Sequence, residues 1–358
     1  MMPRRVATKT LPALVSLTTL VVVVGGLAIH NGALAESSSW FQKSDAPPAK
    51  KPAPASPVKG PTSDHSKTVP TTVPATGEDA AYTAFDQGQY LTALKLAEED
   101  ASHKDPQAHT LIARIYAEGL GVPKNEKTAV NWYTRAVDLG DVPAMFALGI
   151  MLAEGRGVEK NRDAAAKLFE RAALTGHALA NYNLGLLFLK GDGKPENPIR
   201  AAQHIRYAAE KGIAQAQYDL AGLYQSGTGV APNALETAQW LSRAAEQNLA
   251  AAQYDYAVLL LKGLGLTRDE PKAVPYLKAA AEKGIAGAQN RLAYVYLEGI
   301  GTDKNPIEAA KWRLIAQKSG LADKSLDDTV AKLAKADRQA AEKAASEWAD
   351  RIQIQPSL

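Results

Sequence analysis

The stretch GLGVPKN at residues 119–125 decides the fold, because close copies of it recur every 36 residues. The copies are GRGVEKN from Gly155, GDGKPEN from Gly191, GTGVAPN from Gly227, GLGLTRD from Gly263 and GIGTDKN from Gly299. A phosphate-binding P-loop needs four residues between its glycines and then Gly-Lys-Ser/Thr, and no copy has that spacing. A fixed period of this length predicts an array of structural repeats instead.

Each repeat contains two amphipathic helices, which we call helix A and helix B. Six full units begin with an alanine, at Ala108, Ala144, Ala180, Ala216, Ala252 and Ala288. In the fourth unit, helical periodicity predicts an apolar face on each helix: Ala216, Leu220, Leu223 and Tyr224 on helix A, and Trp240, Leu241, Ala244 and Ala245 on helix B. Each helix therefore has one face to bury against its neighbours.

The paired glycines of each copy predict the turn between helix A and helix B, because glycine adopts positive φ without steric cost. These turn residues are Gly119, Gly121, Gly155, Gly157, Gly191, Gly193, Gly227, Gly229, Gly263, Gly265, Gly299 and Gly301. A glycine also ends most of the B helices, and Asn248 takes that place in the fourth unit.

The alanine, Leu-Gly, tyrosine, Gly-x-Gly-Val and tryptophan positions together resemble the Sel-like repeat family, a relative of the tetratricopeptide repeats. The resemblance covers about residues 80–350. It implies an all-α, right-handed α-solenoid of antiparallel helix hairpins. Within the family, the chain is similar to cysteine-free periplasmic proteins of alphaproteobacteria.

Five segments are expected along the chain. Residues 1–35 read as a signal peptide with cleavage after Ala35, an uncleaved membrane anchor being the alternative. Residues 36–77, with eight prolines, read as a disordered tether. A capping hairpin at 78–107, six repeats at 108–323 and C-terminal capping helices at 324–358 complete the prediction, with Ser325 and Asp328 as a capping box. Both readings of the leader predict a periplasmic protein.

The charge balance argues against a nucleic-acid partner. Three of the 41 basic side chains lie in the leader, so that 38 remain against 38 acidic ones. Proteins that follow a phosphate backbone usually carry a basic excess on one face. We therefore expect no nucleic acid, and contact with a membrane only through an uncleaved leader.

No signature of catalysis or of a cofactor is present in the sequence. The chain has no cysteine, which excludes thiol chemistry and a disulfide framework. His204 occupies a helix B slot that carries tryptophan, leucine or tyrosine in other repeats, so we interpret it as a core residue. No G-x-S-x-G or H-E-x-x-H motif occurs. We predict that the protein is not an enzyme and binds no metal.

Three tyrosines at the third position of consecutive A helices, Tyr182, Tyr218 and Tyr254, form what we call the tyrosine ladder. If helix A lines a concave surface, this ladder and its polar neighbours would form a peptide groove. The predicted partner-binding residues are Phe146, Tyr182, Asn183, Leu186, Lys190, Tyr218, Asp219, Tyr254, Asp255, Val258, Lys262 and Arg291. The alternative is that the tyrosines pack against the next helix A.

These features together predict an exported, regulatory adaptor or scaffold that binds another protein or peptide in the cell envelope. Its partner would be a membrane-bound sensor or an envelope enzyme. One alternative is a protein that binds peptidoglycan or another glycan. The third is a cell-wall or β-lactam hydrolase, which the lack of cysteine disfavours, because the family members described with such activity carry a disulfide in each repeat.

Overall fold

The computed structural model describes residues 77–354, and the side chains of residues 80–351. Sixteen α-helices and no strand occur in this part of the chain. Each of the first fourteen helices packs on the next one along the sequence, and the sixteenth packs on the fourteenth, so that hairpin stacks on hairpin. The prediction of an all-α solenoid of helix hairpins is confirmed. The predicted signal peptide and nearly all of the predicted tether lie outside the described residues.

The helices fall into a leading hairpin, six A–B pairs and two closing helices. The leading hairpin is α1 (Gly77–Asp86) and α2 (Tyr90–Ser102). The A helices are α3 (Pro106–Glu118), α5 (Val142–Glu154), α7 (Ala178–Lys190), α9 (Ala214–Ser226), α11 (Ala250–Lys262) and α13 (Ala286–Glu298). The B helices are α4 (Glu126–Asp138), α6 (Arg162–Leu174), α8 (Pro198–Glu210), α10 (Ala234–Glu246), α12 (Glu270–Glu282) and α14 (Pro306–Lys318). The closing helices are α15 (Lys324–Ala331) and α16 (Lys335–Ile354).

The recurring heptapeptide both ends helix A and begins helix B. Its first glycine, Gly227 in the fourth repeat, is the C-cap of α9 at φ +75°, and its amide donates to the Leu223 carbonyl. Its last residue, Asn233, is the N-cap of α10, and its side chain accepts from two backbone amides of the first turn. The same N-cap is made by Asn125, Asn161, Asn197, Asp269 and Asn305. Polar groups that a helix end leaves unpaired are thereby satisfied on both sides of the turn.

The second glycine of the heptapeptide is required for a further reason, because a side chain there would collide with the neighbouring repeat. All twelve turn glycines have φ between +62° and +80°. A Cβ atom on Gly229 would also lie 2.0 Å from the carbonyl oxygen of Pro198, at the start of the preceding repeat's helix B. Gly157, Gly193, Gly265 and Gly301 approach the preceding helix B equally closely. The second glycine therefore belongs to the junction between repeats as much as to the turn.

A chain of side-chain amides links repeats 3 to 6 near the carboxyl ends of the B helices. Gln217 Nε2 donates to the Ala209 carbonyl of the preceding repeat, and Gln217 Oε1 accepts from Gln247 at the end of its own repeat. Gln253 and Gln289 repeat this arrangement with Ala245 and Lys283, and with Ala281 and Ser319. Each of these helix-end carbonyls also accepts from a backbone amide of the turn that follows, so the glutamine supplies a second hydrogen bond. Each junction therefore has the same polar contacts.

The last repeat differs because it packs against a closing helix. Arg313 lies where earlier B helices have a buried Tyr133, Phe169, Ile205, Leu241 or Leu277, and it is itself 1% exposed. Its guanidinium donates to both Asp327 carboxylate oxygens at 2.6 and 3.0 Å. It also donates to Asn290 Oδ1 and to the Leu321 carbonyl. These bonds attach α15 to the array.

The predicted capping box at Ser325 is wrong. The helix begins at Lys324, and the side chain of Asp323 is the N-cap, since it accepts from the Leu326 amide. A carboxylate at this position caps as well as a serine hydroxyl, and it also suits the helix dipole. Trp348 of α16 packs edge-on against Trp312, with ring centroids 5.9 Å apart. The closing helices thus cover the apolar face of the last repeat.

Candidate functional site

The candidate site is the row of residues at the third and fourth positions of the A helices, where the tyrosine ladder was predicted. The third-position residue reaches across to the next helix A. Tyr182 donates from its hydroxyl to Asp219 Oδ2 at 2.7 Å, and Tyr218 donates to Asp255 Oδ2 at 2.9 Å. The two bonds join α7 to α9 and α9 to α11. This part of the ladder therefore connects neighbouring repeats.

The two aspartates are held in an apolar environment. Asp219 is 1% exposed, and burial raises its pKa to about 6 although the hydrogen bonds from Tyr182 and Gln215 act in the opposite direction. Burial likewise raises the pKa of Asp255 to about 6, against the hydrogen bond from Tyr218. Burial, with the neighbouring carboxylate as a second cause, raises the pKa of the Tyr182 and Tyr218 hydroxyls. These hydroxyls therefore stay protonated and remain donors at neutral pH.

Asp219→Asn is expected to stabilise the protein at neutral pH. The native state holds the Asp219 proton up to about pH 6, whereas the unfolded chain releases it near the ordinary aspartate pKa of 3.8. Stability from this group therefore falls as the pH rises from about 4 to 6, by about 2–3 kcal/mol. Asparagine carries no charge to bury, and it can accept the Tyr182 hydrogen bond. The gain in unfolding free energy should be about 2 kcal/mol at pH 7.5 and close to zero at pH 4.

Urea unfolding followed by circular dichroism at the two pH values measures this effect. Asp163→Asn is the control, because Asp163 is exposed and its pKa is lowered by Lys167. That variant should not gain stability at pH 7.5. An equal gain for Asp219→Asn at pH 4 and 7.5 would show that the native carboxylate is not protonated at the lower pH.

Some of the predicted partner-binding residues are buried and others are accessible to solvent. Five of them are buried and offer no side-chain surface: Tyr182, Asn183, Leu186, Asp219 and Val258. Their placement on an open groove is therefore corrected. In α7, nine consecutive residues from Ala180 to Phe188 are buried, and the helix packs against both α6 and α8. The accessible residues are Phe146, Lys190, Tyr218, Tyr254, Asp255, Lys262 and Arg291, and a binding role for them stays a prediction.

The ladder has an incomplete pair at each end. At one end, Phe146 occupies the third position of α5 and has no hydroxyl to donate to α7. The oxygen Oδ1 of Asn183, at the acceptor position, is buried and has no partner among the described residues. At the other end, Tyr254 is followed by Arg291, which cannot accept a hydrogen bond from the tyrosine. Sequence reasoning placed these residues on the right helices but could not show which of them pair.

The histidines of the described chain have structural contacts. The ring of His204 stacks on Phe188, and its Nδ1 lies 2.9 Å from Asn181 Oδ1. His177 caps α7 by accepting from the Ala180 amide, and burial lowers its pKa. His109 Nδ1 bonds the Asp105 carbonyl. Within residues 80–351, no group of three or more histidine, aspartate or glutamate side chains could hold a metal ion.

The lengths and hydropathies of the described helices bear on whether any of them could span a membrane. None of those within residues 77–354 is both long enough and apolar enough to cross a bilayer. The predicted leader at residues 1–35 lies outside this range.

Comparison with known proteins assigns the chain to a family. The model of the Sel1 repeat matches residues 106–141, 142–177, 178–213, 214–249, 250–285 and 286–313, more than half of the chain. A Sel1 repeat protein from Oxalobacter formigenes is similar in structure, with 30% identity and a TM-score of 0.59, over 70% of this chain and 100% of that one. A protective antigen of uropathogenic Escherichia coli strains shares the fold, with 23% identity and a TM-score of 0.51, over 79% of this chain and 72% of that one. No curated protein sequence is significantly similar to the chain. The chain belongs to the Sel1 repeat family, whose members are helical scaffolds that typically mediate protein–protein interactions.

Proposed function

We propose that the protein is a non-catalytic scaffold that binds a protein partner through the A helices of repeats 4 to 6. The observation that carries this proposal is the accessible end of the tyrosine ladder. Tyr218 and Tyr254 are half-buried on successive A helices, Tyr218 bonds Asp255, and the partly accessible Lys262 and Arg291 lie on α11 and α13. Aromatic side chains held by a rigid scaffold and bordered by charged groups are typical of the energetic centre of an interface. We call these five residues the helix A surface.

We also propose that the protein acts outside the cytoplasm, in the cell envelope. Support comes from the sequence of residues 1–35, with its basic start, its apolar run from Leu11 to Ile29 and the Ala33-Leu34-Ala35 cleavage pattern. The proline-rich segment that follows would let the solenoid reach away from the membrane. In this setting the partner would be a membrane-bound sensor or an envelope enzyme, and the role regulatory. An intact mass starting at Glu36, measured on protein from the periplasm, tests the export and the cleavage together.

Site-specific crosslinking tests the binding surface. A photoreactive phenylalanine analogue at position 218 or 254 should capture one partner protein in the producing cells. The matched control is position 243, since Arg243 is exposed on helix B of repeat 4 and its guanidinium lies over Trp240. Capture from 218 and 254 but not from 243, with mass spectrometry identifying the same partner, supports the proposal. Capture from all three positions, or only from 243, contradicts it.

Tyrosine truncation separates binding from stability. Tyr254→Ala should reduce partner capture while melting shifts little, because its hydroxyl makes no hydrogen bond to a described residue and its ring is half-exposed. Tyr182→Ala should cost about 3 kcal/mol or more in unfolding free energy, because its ring is fully buried. Undiminished capture by Tyr254→Ala would show that the surface is not the site. Binding of the wild type to purified cell-wall sacculi, lost in Tyr254→Ala, would favour the glycan alternative.

A further inference from the structure

The tyrosine ladder contains a repeated pairing that stops at the last repeat. Tyr182 bonds Asp219, and Tyr218 bonds Asp255, each acceptor lying 37 residues after its donor. The equivalent of these acceptors for Tyr254 is Arg291. A hydroxyl that meets a carboxylate in two preceding junctions meets a guanidinium in the third. Of the three junctions that the tyrosine ladder spans, only the one between α11 and α13 lacks the carboxylate.

The geometry brings these two donors to the same face of α13. The Tyr254 hydroxyl lies over Gly287, where a Cβ atom would be 3.0 Å from the hydroxyl oxygen. Gly287 and Arg291 are four residues apart, so they occupy adjacent turns on one face of the helix. Any side chain larger than glycine at residue 287 would contact the tyrosine. The absence of a side chain there lets the hydroxyl approach the helix beside Arg291.

Neither donor has an acceptor within the described chain. Arg291 Nε is buried and has no hydrogen-bond partner among the described residues. None of the ion pairs among the described residues includes Arg291, and Asp255 Oδ2 accepts from Tyr218. A buried donor without an acceptor destabilises a protein by about 1–3 kcal/mol, and each case requires an explanation.

A second cation stands next to Arg291. Lys262 is the last residue of α11 and is half-buried. Burial is the first cause that lowers the pKa of Lys262, and the positive charge of Arg291 is the second. The two side chains are therefore near enough to repel each other. Two neighbouring cations and a hydroxyl donor form a local positive potential that favours an anion.

We propose that Tyr254, Lys262 and Arg291 bind a carboxylate of the protein partner, in the place that an aspartate fills at the preceding junctions. This inference rests on the proposed function, because it assigns the chemistry of the residue that the partner inserts. The occupant is an acidic side chain of a peptide segment. Its oxygens accept from the Tyr254 hydroxyl and from Arg291 Nε, and Lys262 adds charge attraction. Arginine suits this role because its planar guanidinium matches a carboxylate.

The chain has a matched site that should not bind. Arg162 also has a buried Nε without a partner among the described residues. Burial first, and the charge of Arg162 second, lower the pKa of Lys190, which ends α7 as Lys262 ends α11. Arg162, however, already forms an ion pair with Asp192. A carboxylate from the chain itself is thus present there. Arg162→Gln is the control for Arg291→Gln.

The test uses the full chain and fluorescein-labelled hexaglutamate, with hexalysine as the opposite-charge probe. Fluorescence anisotropy at low salt should show binding of hexaglutamate and none of hexalysine. Arg291→Gln should weaken hexaglutamate binding at least about tenfold, and Tyr254→Phe by about three- to tenfold, because each removes a charge-assisted hydrogen bond. Arg162→Gln should bind like the wild type. In parallel, the Arg291 Nε–H resonance of the arginine-labelled wild type should shift as hexaglutamate is added.

Equal binding by the wild type and Arg291→Gln overturns the inference, as does an unchanged Arg291 Nε–H resonance at saturating hexaglutamate. The resonance is measured on the wild type, so a folding defect of the variant cannot hide the result. Failure of the proposed function gives a different pattern. If position 218 captures the partner equally in Arg291→Gln, the scaffold function stands and the carboxylate site is wrong. If hexaglutamate binds at Arg291 but positions 218 and 254 capture no protein, the carboxylate site stands and the scaffold function is wrong.

Discussion

Arg313→Ala is expected to lower the unfolding free energy by about 3–5 kcal/mol, because it empties a buried site and leaves hydrogen-bond acceptors unpaired. The guanidinium is almost fully buried, and it joins helix A of the last repeat, the loop before α15 and Asp327 of α15. Without it, the Asn290 oxygen and the Leu321 carbonyl lose their donor. Because each repeat is stabilised only by its neighbours, α15 and α16 should lose protection first.

Hydrogen exchange of α15 and α16, together with urea unfolding, measures both parts of this prediction. Lys324→Ala is the control, since its ion pair with Asp328 lies on the surface of the same helix. Exposed pairs contribute about 0.2–1 kcal/mol, so this variant should be nearly neutral. The double variant Arg313→Leu with Asp327→Leu should recover much of the loss, because it restores the apolar residue found in earlier repeats. An Arg313→Ala variant as stable as Lys324→Ala would contradict the role given to Arg313.

Gly229→Val is expected to destabilise the protein by about 4 kcal/mol, for two separable reasons. Its φ of +71° strains any β-branched residue, and its Cβ would collide with the Pro198 carbonyl of the preceding repeat. Strain of this kind costs about 1–3 kcal/mol, and forced overpacking costs about the same again. Thermal melting and urea unfolding both report the loss.

Gly212→Val isolates the backbone contribution. Gly212 has φ +89°, and a Cβ atom there would meet nothing within 4 Å. Its substitution should therefore cost only the conformational strain, about 1–3 kcal/mol. The difference between the two variants measures the close approach of neighbouring repeats. Equal losses would mean that the junction adapts to a side chain at residue 229.

The repeat period and the inward faces could be predicted from the sequence because they depend on local spacing. Trp240, Leu241, Ala244 and Ala245 are buried as their helical periodicity indicates. The turn glycines have the positive φ that their position in the heptapeptide implies. Each of these features is fixed within one hairpin. Their physical causes act over a few residues and leave a visible pattern.

The burial of the candidate site could not be predicted, because it depends on how one repeat rests on the next. Tyr182 and Tyr218 occupy the same position in the repeat, yet one is fully buried and the other is partly exposed. The hydrogen bonds of these tyrosines to Asp219 and Asp255 join residues 37 positions apart, so that no local sequence pattern predicts them. A signal was nevertheless present in the change from aspartate to Arg291 at a fixed position of the period. When this position is aligned across the repeats, Tyr254 is the ladder tyrosine whose aspartate is replaced, by Arg291.

The chain of glutamine amides has a consequence for how the array can change in length during evolution. Each junction from repeat 3 to repeat 6 uses the same donors and acceptors at the same spacing. Recombination that removes or duplicates 36 codons therefore rejoins two ends that already match. Arg313 sets a limit, because only the repeat that carries it fits the closing helices. We infer that the protein can lengthen or shorten in its interior, while its last unit must be inherited unchanged.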